Sequence, residues 1–186
     1  MTSSASTRLT YEDYATFPDD GRRHEIIEGE HYVSPSPGRK HQEILRRLLV
    51  AMSQYLQQNP IGEVFSAPFD VVLSDIDIVQ PDLVYVARER ASMITEKNVQ
   101  GAPDLVVEIL SESTRRTDAI VKRKRYDHFG VEEYWIVDPV VETIEVLRQA
   151  ESGFERAAEL RSETGGRLET PLLPGFSIDL SGVFHD

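Results

Sequence analysis

The chain has no cysteine among its 186 residues. That absence excludes disulfide frameworks, cysteine-ligated zinc, iron–sulfur clusters and thiol nucleophiles, since each needs a sulfur that is not there. Cations are scarce: 20 Lys and Arg stand against 32 Asp and Glu, a formal net charge of −12. A protein that held nucleic acid by bulk charge would need the opposite balance, because non-specific binding to phosphates works through cations that release counterions. Long apolar runs are missing too. Leu48-Leu49-Val50-Ala51-Met52 is far too short to span a bilayer, and Met1 to Arg8 lacks the apolar core of a signal peptide. A cytoplasmic protein with no membrane association is expected. Its length suits one domain over residues 1–186, with residues 1–8 expected to be disordered. No Gly-rich phosphate loop follows any predicted strand, which removes most of the case for dinucleotide or P-loop chemistry.

The pattern that is present has an informative order. Thr10-Tyr-Glu-Asp13 has the form of a capping box opening a short helix that Pro18 and Asp19-Asp20-Gly21 end. Residues 23–28 and 31–34 flank Gly29-Glu30 as a hairpin, closed by Ser34-Pro-Ser-Pro-Gly38. From His41 to Gln58, Ile44, Leu45, Leu48, Leu49, Met52, Tyr55 and Leu56 recur at helical spacing and predict a core-facing helix stopped by Asn59-Pro60. Residues 62–73, 79–86 and 105–110 read as strands, the third buried on both faces. Residues 118–129 read as a second helix ending at Gly130, and 133–137 as a fourth strand before Asp138-Pro139. Hairpin-like strands follow to about residue 161, then an irregular tail over 171–180. Residues 88–101 read as a flexible connection. Helix, three strands, helix, strand predicts an α/β fold with a mixed sheet.

Two acids interrupt the apolar strands: Asp82 in Gln80-Pro-Asp-Leu-Val-Tyr-Val86 and Glu108 in Pro103-Asp-Leu-Val-Val-Glu-Ile-Leu110. A carboxylate in such surroundings is costly to ionise unless a cation compensates it. Mg²⁺ takes oxygen ligands from one or two carboxylates and keeps waters for a substrate phosphate, so two acids on adjacent strands suffice. Without a metal, the same acids would mark strand edges or accept backbone hydrogen bonds. Asp104 is a rival partner for Glu108, but four steps along one strand separate the two Cα atoms by about 13 Å, too far for one ion. Asp82, arriving on another strand, can lie beside Glu108.

The cations are concentrated in one place. Residues 114–126 hold Arg115, Arg116, Lys122, Arg123, Lys124 and Arg125 against Asp118 alone. On a helix, Ala119, Lys122, Tyr126 and Phe129 form one stripe, which turns only Lys122 of the adjacent cations toward the sheet. Such a lysine either snorkels to water or stands beside a metal or a transferring phosphate, and in the second case its ammonium should approach both Asp82 and Glu108.

At this point the residues resemble a family. Arg23-His-Glu-Ile-Ile-Glu-Gly-Glu30, Ser34-Pro-Ser-Pro37 followed by His41, Gln80-Pro-Asp82, Pro103 to Ser111, Ser113-Thr114, Asp118 with Lys122 and Tyr126, and Gly130-Val-Glu-Glu-Tyr-Trp-Ile-Val-Asp-Pro139 resemble the Uma-type restriction-endonuclease-like family. The last segment is the most specific, and the resemblance runs through nearly the whole chain. It implies the PD-(D/E)XK nuclease core and a Mg²⁺-dependent endonuclease acting on nucleic acid, DNA foremost, with Mn²⁺ as an alternative ion and a homodimer among the expected assemblies. Carried over, Asp82 matches the first acid and Glu108 the second. Leu110 stands where the superfamily's usual lysine would be, so the family pattern points to Lys122 for the catalytic cation. Glu25 matches an early acid and would complete a metal set of Asp82, Glu108 and Glu25 with a backbone carbonyl near Ile109; Glu28 is its rival. Arg115, Arg116, Arg123 and Lys124 would meet the nucleic-acid backbone. His41 reads as an inward structural histidine, and Tyr126, Tyr134 and Trp135 as core. Two competitors remain: a non-enzymatic interaction or oligomerisation module with a vestigial site, and a small-molecule phosphoesterase, which the lack of a His-rich two-metal cluster disfavours.

Overall fold

Thr10 and Asp13 close the expected capping box at the start of α1 (Tyr11–Tyr14), in a computed structural model that describes residues 8–185. The stretch expected to be disordered therefore lies, Arg8 apart, outside the described residues. Strands β1 (Arg23–Ile27) and β2 (Glu30–Ser34) form the predicted hairpin, with Glu25 opposite Tyr32. Its two-residue turn puts Glu28 at φ 55° and Gly29 at φ 81°, and a Cβ on Gly29 would fall 2.5 Å from the Arg8 side chain, so glycine is required there. Helix α2 (Arg39–Gln58) buries Ile44, Leu45, Leu48, Met52 and Leu56, the stripe read from the sequence.

The next two predicted strands are each broken in two. The segment 62–73 divides at Ala67-Pro68 into β3 (Gly62–Ser66) and β4 (Asp70–Ser74), and 79–86 divides at Pro81 into β5 (Asp77–Val79) and β6 (Leu83–Ala87). Proline has no N–H to give to a ladder, so each pair of halves parts company and joins different sheets. The supposed flexible connection over 88–101 is ordered. It carries a 3₁₀ turn (Arg88–Met93) and strand β7 (Asn98–Gln100), which pairs parallel with β4 and buries Val99.

Strand β8 (Leu105–Ile109) is buried throughout, as expected. A π-helical turn (Thr117–Lys122) and α3 (Arg123–Phe129) then cross to β9 (Glu133–Asp138), which runs parallel to β8. Strands β10 (Thr143–Ala150) and β11 (Gly153–Arg161) form a long hairpin. The tail is more regular than expected: β12 (Arg167–Glu169), β13 (Ser177–Asp179) and α4 (Leu180–Phe184) pack Leu168, Leu180 and Val183 into the core beside α2.

The result is a mixed α/β fold with a six-stranded sheet ordered β11-β10-β9-β8-β6-β3 and a five-stranded sheet ordered β2-β1-β5-β4-β7. Alternation along β8 decides where its acid goes. Leu105, Val107 and Ile109 pack with α2, whereas Val106 faces the second core, shared with α3 and the smaller sheet; Glu108 follows it to that side. Among the described residues no helix is long and apolar enough to cross a membrane.

Candidate active site

Strand register brings the two expected acids together. Leu83 pairs with Val107 at the end of the β6–β8 ladder, so Asp82 and Glu108 lie one step beyond it, at one edge and on one face of the sheet. Glu25 comes from β1 in the other sheet, and the π turn supplies Asp118. All four carboxylates are at least 97% buried, Asp118 being the most exposed at 3%. Lys122, 2% exposed, places its Nζ 2.7 Å from Glu25 Oε1, 3.0 Å from Glu108 Oε1 and 3.2 Å from Asp118 Oδ1. Asp82 is held differently. Both Nη atoms of Arg23 donate to its Oδ1 at 3.0 Å, while Oδ2 accepts from the Ile109 N–H at 2.8 Å and lies 3.0 Å from His41 Nε2. The expectation that Lys122 approaches both acids thus holds for Glu108 and is corrected for Asp82, whose cation is Arg23.

Electrostatics separate the two acids as well. Burial and the neighbouring Asp118, Asp82 and Glu25 push the Glu108 carboxyl well up, against the pull of Lys122. Burial opposes ionisation of Asp82 most, yet His41, Arg23 and the Ile109 N–H together hold its carboxyl below the usual range. Burial likewise works against the Lys122 ammonium, but Glu108, Glu25 and Asp118 outweigh it and keep the lysine charged. Tyr126 donates its hydroxyl to Glu108 Oε1 at 2.8 Å, and Tyr134 donates to the Asp118 carbonyl at 3.0 Å; both rings are core, as read, but each carries a polar duty. His41 must donate from Nε2, since Asp82 accepts only. That leaves Nδ1 buried without a partner among the described residues.

The π turn explains the place of Asp118, which the family pattern groups with Lys122 and Tyr126 but to which the sequence gives no site role. On a regular helix Ala119 would share the Lys122 face, but the wider turn buries Asp118, Lys122 and Tyr126 and leaves Ala119 half-exposed. Arg23, part of the family motif but without a site role in it, stands two residues before Glu25 and therefore on the same face of β1. Glu28 is exposed and pairs with Arg125 at 3.1 Å, outside the cluster. Asp104 sits at the far end of β8, accepting from Arg90 at 2.8 Å and the Ala87 N–H at 2.7 Å. Arg115 is committed to Asp138 through both Nη atoms, at 2.5 and 2.9 Å. Arg116 and Lys124 are exposed and Arg123 is half-buried.

A cavity of about 460 Å³ opens over the cluster, lined by Arg23, His41, Asp82, Asp118 and Lys122, the Ser34–Gly38 strap and the loop 111–114. Four carboxylates against Lys122 and Arg23 leave negative charge in excess, and every acidic donor is a hard oxygen, which fits a divalent cation such as Mg²⁺. Among the described residues no three His, Asp or Glu side chains converge to hold one ion, so the set Asp82, Glu108 and Glu25 is not gathered round one point. The residues fit an ion that takes one or two carboxylates and keeps water in its remaining positions.

No curated protein matches the chain. The fold is similar to that of a "putative nuclease belonging to DUF820" from Anabaena variabilis, solved by crystallography, with a TM-score of 0.79 at 20% identity over 95% of this chain and 97% of that one. The model of the family Uma2, described as "Putative restriction endonuclease", matches residues 11–181. That span takes in the hairpin with Arg23 and Glu25, both strand acids and the helix with Lys122, and the chain belongs to the Uma2 restriction-endonuclease-like family.

Proposed function

We propose that the chain is an endonuclease that hydrolyses phosphodiester bonds in DNA with Mg²⁺, which Mn²⁺ can replace. The observation that carries this reading is a buried ammonium, Lys122, gripped by Glu25, Glu108 and Asp118 on the wall of a cavity that Asp82 and Arg23 also line. Asp82 and Glu108, with the carbonyl of Ile109, would hold the ion, which when bound supplies Lewis acidity to the phosphate and lowers the pKa of water. Lys122 meets the charge that develops on the phosphoryl oxygens. Because three carboxylates already fix it, the ammonium needs no reorganisation as the reaction proceeds. Arg23 directs its two Nη groups at Asp82, and a phosphate oxygen offers the same kind of acceptor, so Arg23 passes to the substrate and releases Asp82 Oδ1. Tyr126 holds the Glu108 carboxylate in one orientation. Arg116, Arg123 and Lys124 meet neighbouring phosphates.

The test is incubation of the purified protein with supercoiled, linear, branched and single-stranded DNA in Mg²⁺ or Mn²⁺. Cleavage that chelation stops and Asp82→Ala removes is expected; intact DNA of every form in both ions would sink the reading. The alternative, an interaction module that retains the core without activity, is favoured by one observation: all four acids already have donors or cations to meet. Thermal melting separates the two, since an ion-induced rise that Asp82→Ala abolishes belongs to the nuclease and a flat response to the module.

A further inference from the structure

A second cavity, of about 520 Å³, adjoins the first. The two share Arg23 and the Pro35-Ser36-Pro37 strap, so they are neighbours with Arg23 on the wall of both. They differ in chemistry. The first is lined by Asp82, Asp118, Lys122 and His41; the second, along with Asp19 and Arg22, presents the rings of Tyr14, Phe17 and His24 and the side chain of Pro68. These rings belong to a ladder. Tyr14 meets Phe17 at 5.6 Å between centroids, Phe17 meets His31 at 4.4 Å, and His31 stacks on His24 at 5.2 Å. The ladder is pinned: the Tyr14 hydroxyl donates to Asp70 at 2.7 Å and accepts from Gln80 at 2.9 Å. Phe17 has no polar atom to explain its position, yet it is left half-exposed at the cavity wall. A half-exposed set of aromatic rings beside an arginine that the nuclease reading gives to a phosphate is suited to stacking a nucleobase.

We propose that this second cavity binds the base of a nucleotide adjoining the scissile phosphate, so that the DNA must be presented with that nucleotide unpaired, as a single strand, a flap or a flipped base. The inference rests on the nuclease reading of the first cavity. A base inside a duplex is covered on both faces by its neighbours and cannot also lie against Phe17, whereas an unpaired base can. The charge balance points the same way. With a net charge of −12 the chain gains little from a duplex backbone, and stacking supplies attraction that does not depend on cations.

The experiment uses the full chain carrying Glu108→Gln, with Mg²⁺ present, so that strands stay intact while binding is read by fluorescence anisotropy. The probes are a labelled single-stranded oligonucleotide, the same strand annealed to its complement, and a single strand whose bases are replaced by abasic sites. The normal single strand should bind about tenfold tighter than either of the other two. Adding Phe17→Ala should remove that advantage while leaving duplex binding unchanged. Phe17→Trp should keep it, and the new tryptophan's emission should be quenched on binding, a readout that stands even where the alanine variant fails to fold. Equal binding of normal and abasic strands, duplex binding as tight as single-strand binding, or indifference to Phe17→Ala in a folded variant overturns the base site. Cleavage by the unmodified chain is read separately. DNA cut without regard to Phe17 leaves the nuclease standing and removes the base site, while base-dependent binding with no cleavage in either ion does the reverse.

Discussion

One helical segment carries cations into two buried clusters, and the clusters are built on opposite terms. Arg125 reaches Asp77, which also accepts from the Glu28 N–H at 2.9 Å and the Ser74 hydroxyl at 2.7 Å; with Arg125 Nε at 2.9 Å and Nη2 at 2.8 Å, both oxygens of the acid are satisfied. Three residues earlier Lys122 faces three carboxylates, with a fourth, Asp82, nearby on its own cation. Burial does not distinguish the clusters, since Asp77 is 0% exposed and Glu108 1%. Charge does. A buried acid whose acceptors are all filled by its own arginine and neighbouring donors is a structural joint, whereas excess buried carboxylate beside a cavity stays ionised only with outside help. A buried acid is thus a functional sign when its surroundings leave it under-compensated, and otherwise a sign of architecture.

The largest expected effect breaks this comparison directly. Asp82→Ala and Glu108→Gln should each lower cleavage by about a thousandfold or more; melting temperature without metal should be unchanged or raised in Glu108→Gln, because removing an under-compensated acid relieves repulsion, and lowered in Asp82→Ala, which leaves Arg23 and His41 without their acceptor. Asp77→Ala should do the reverse of Glu108→Gln. It leaves Arg125 without its buried partner and should cost about 3 kcal/mol of stability, with the surviving folded fraction cleaving normally. Nuclease assays normalised to folded protein, beside thermal melts, check all three; a stable but inactive Asp77→Ala would erase the distinction.

Next in size is Lys122→Met, which should reduce turnover by about a hundred- to a thousandfold, the loss expected for one preorganised charge in a buried site. The same change removes the cation that shares three carboxylates. Mg²⁺ should therefore raise the melting temperature of this variant more than that of the parent chain. An unchanged shift would show that Lys122 and the ion do not draw on the same acids.

How much of this could be read beforehand depends on contrast. Asp82, Glu108 and Lys122 were legible because each is polar where the surrounding pattern demands an apolar residue. Arg23 and Asp118 stand among polar neighbours, in Arg22-Arg23-His24-Glu25 and Arg116-Thr117-Asp118, so neither interrupts an apolar pattern. Asp118 was further hidden by the π turn, which shifts the inward face by one residue from the one a regular helix predicts. For the fold, α2 and β8 were legible from their own residues, since a 3.6-residue stripe and a continuous apolar run are local signals. The breaks in two strands had a local sign in Pro68 and Pro81, but which sheet each half joins did not, because pairing partners are distant in sequence. Nor was β7 legible, since its three residues become a strand only by lying against β4.

A smaller effect comes from acidity. Glu108 has a raised folded-state pKa, so the folded chain holds a proton at pH values where the unfolded chain has released it. Stability should then fall as pH rises from the ordinary carboxylate range through that raised value, and Glu108→Gln should flatten the fall. Asp82 runs the other way. Its depressed carboxyl contributes stability that is lost only as pH drops below the ordinary range. Melting temperature against pH, with and without Mg²⁺, reads both; the ion favours the charged carboxylate and should also flatten the upper slope. A slope that survives Glu108→Gln would place the excess proton on another group.

The smallest effect tests the outer cations by the same principle of commitment. Lys124 is exposed, so a phosphate contact made by it should release a counterion, and Lys124→Met should lower the slope of log affinity against log salt by about one while scarcely changing turnover. Arg116→Met should behave alike. Arg115 is a different case, because both of its Nη groups already meet Asp138, whose carboxyl it holds below the usual range. Moving Arg115 to a phosphate would leave Asp138 without its cation, and the gain of one contact is offset by the loss of another. Arg115→Met should therefore leave the salt slope nearly unchanged and register instead as a small drop in melting temperature. If Arg115→Met lowers the slope as much as Lys124→Met does, committed and uncommitted cations serve the backbone equally, and the local charge of residues 114–126 counts by its sum rather than by its partners.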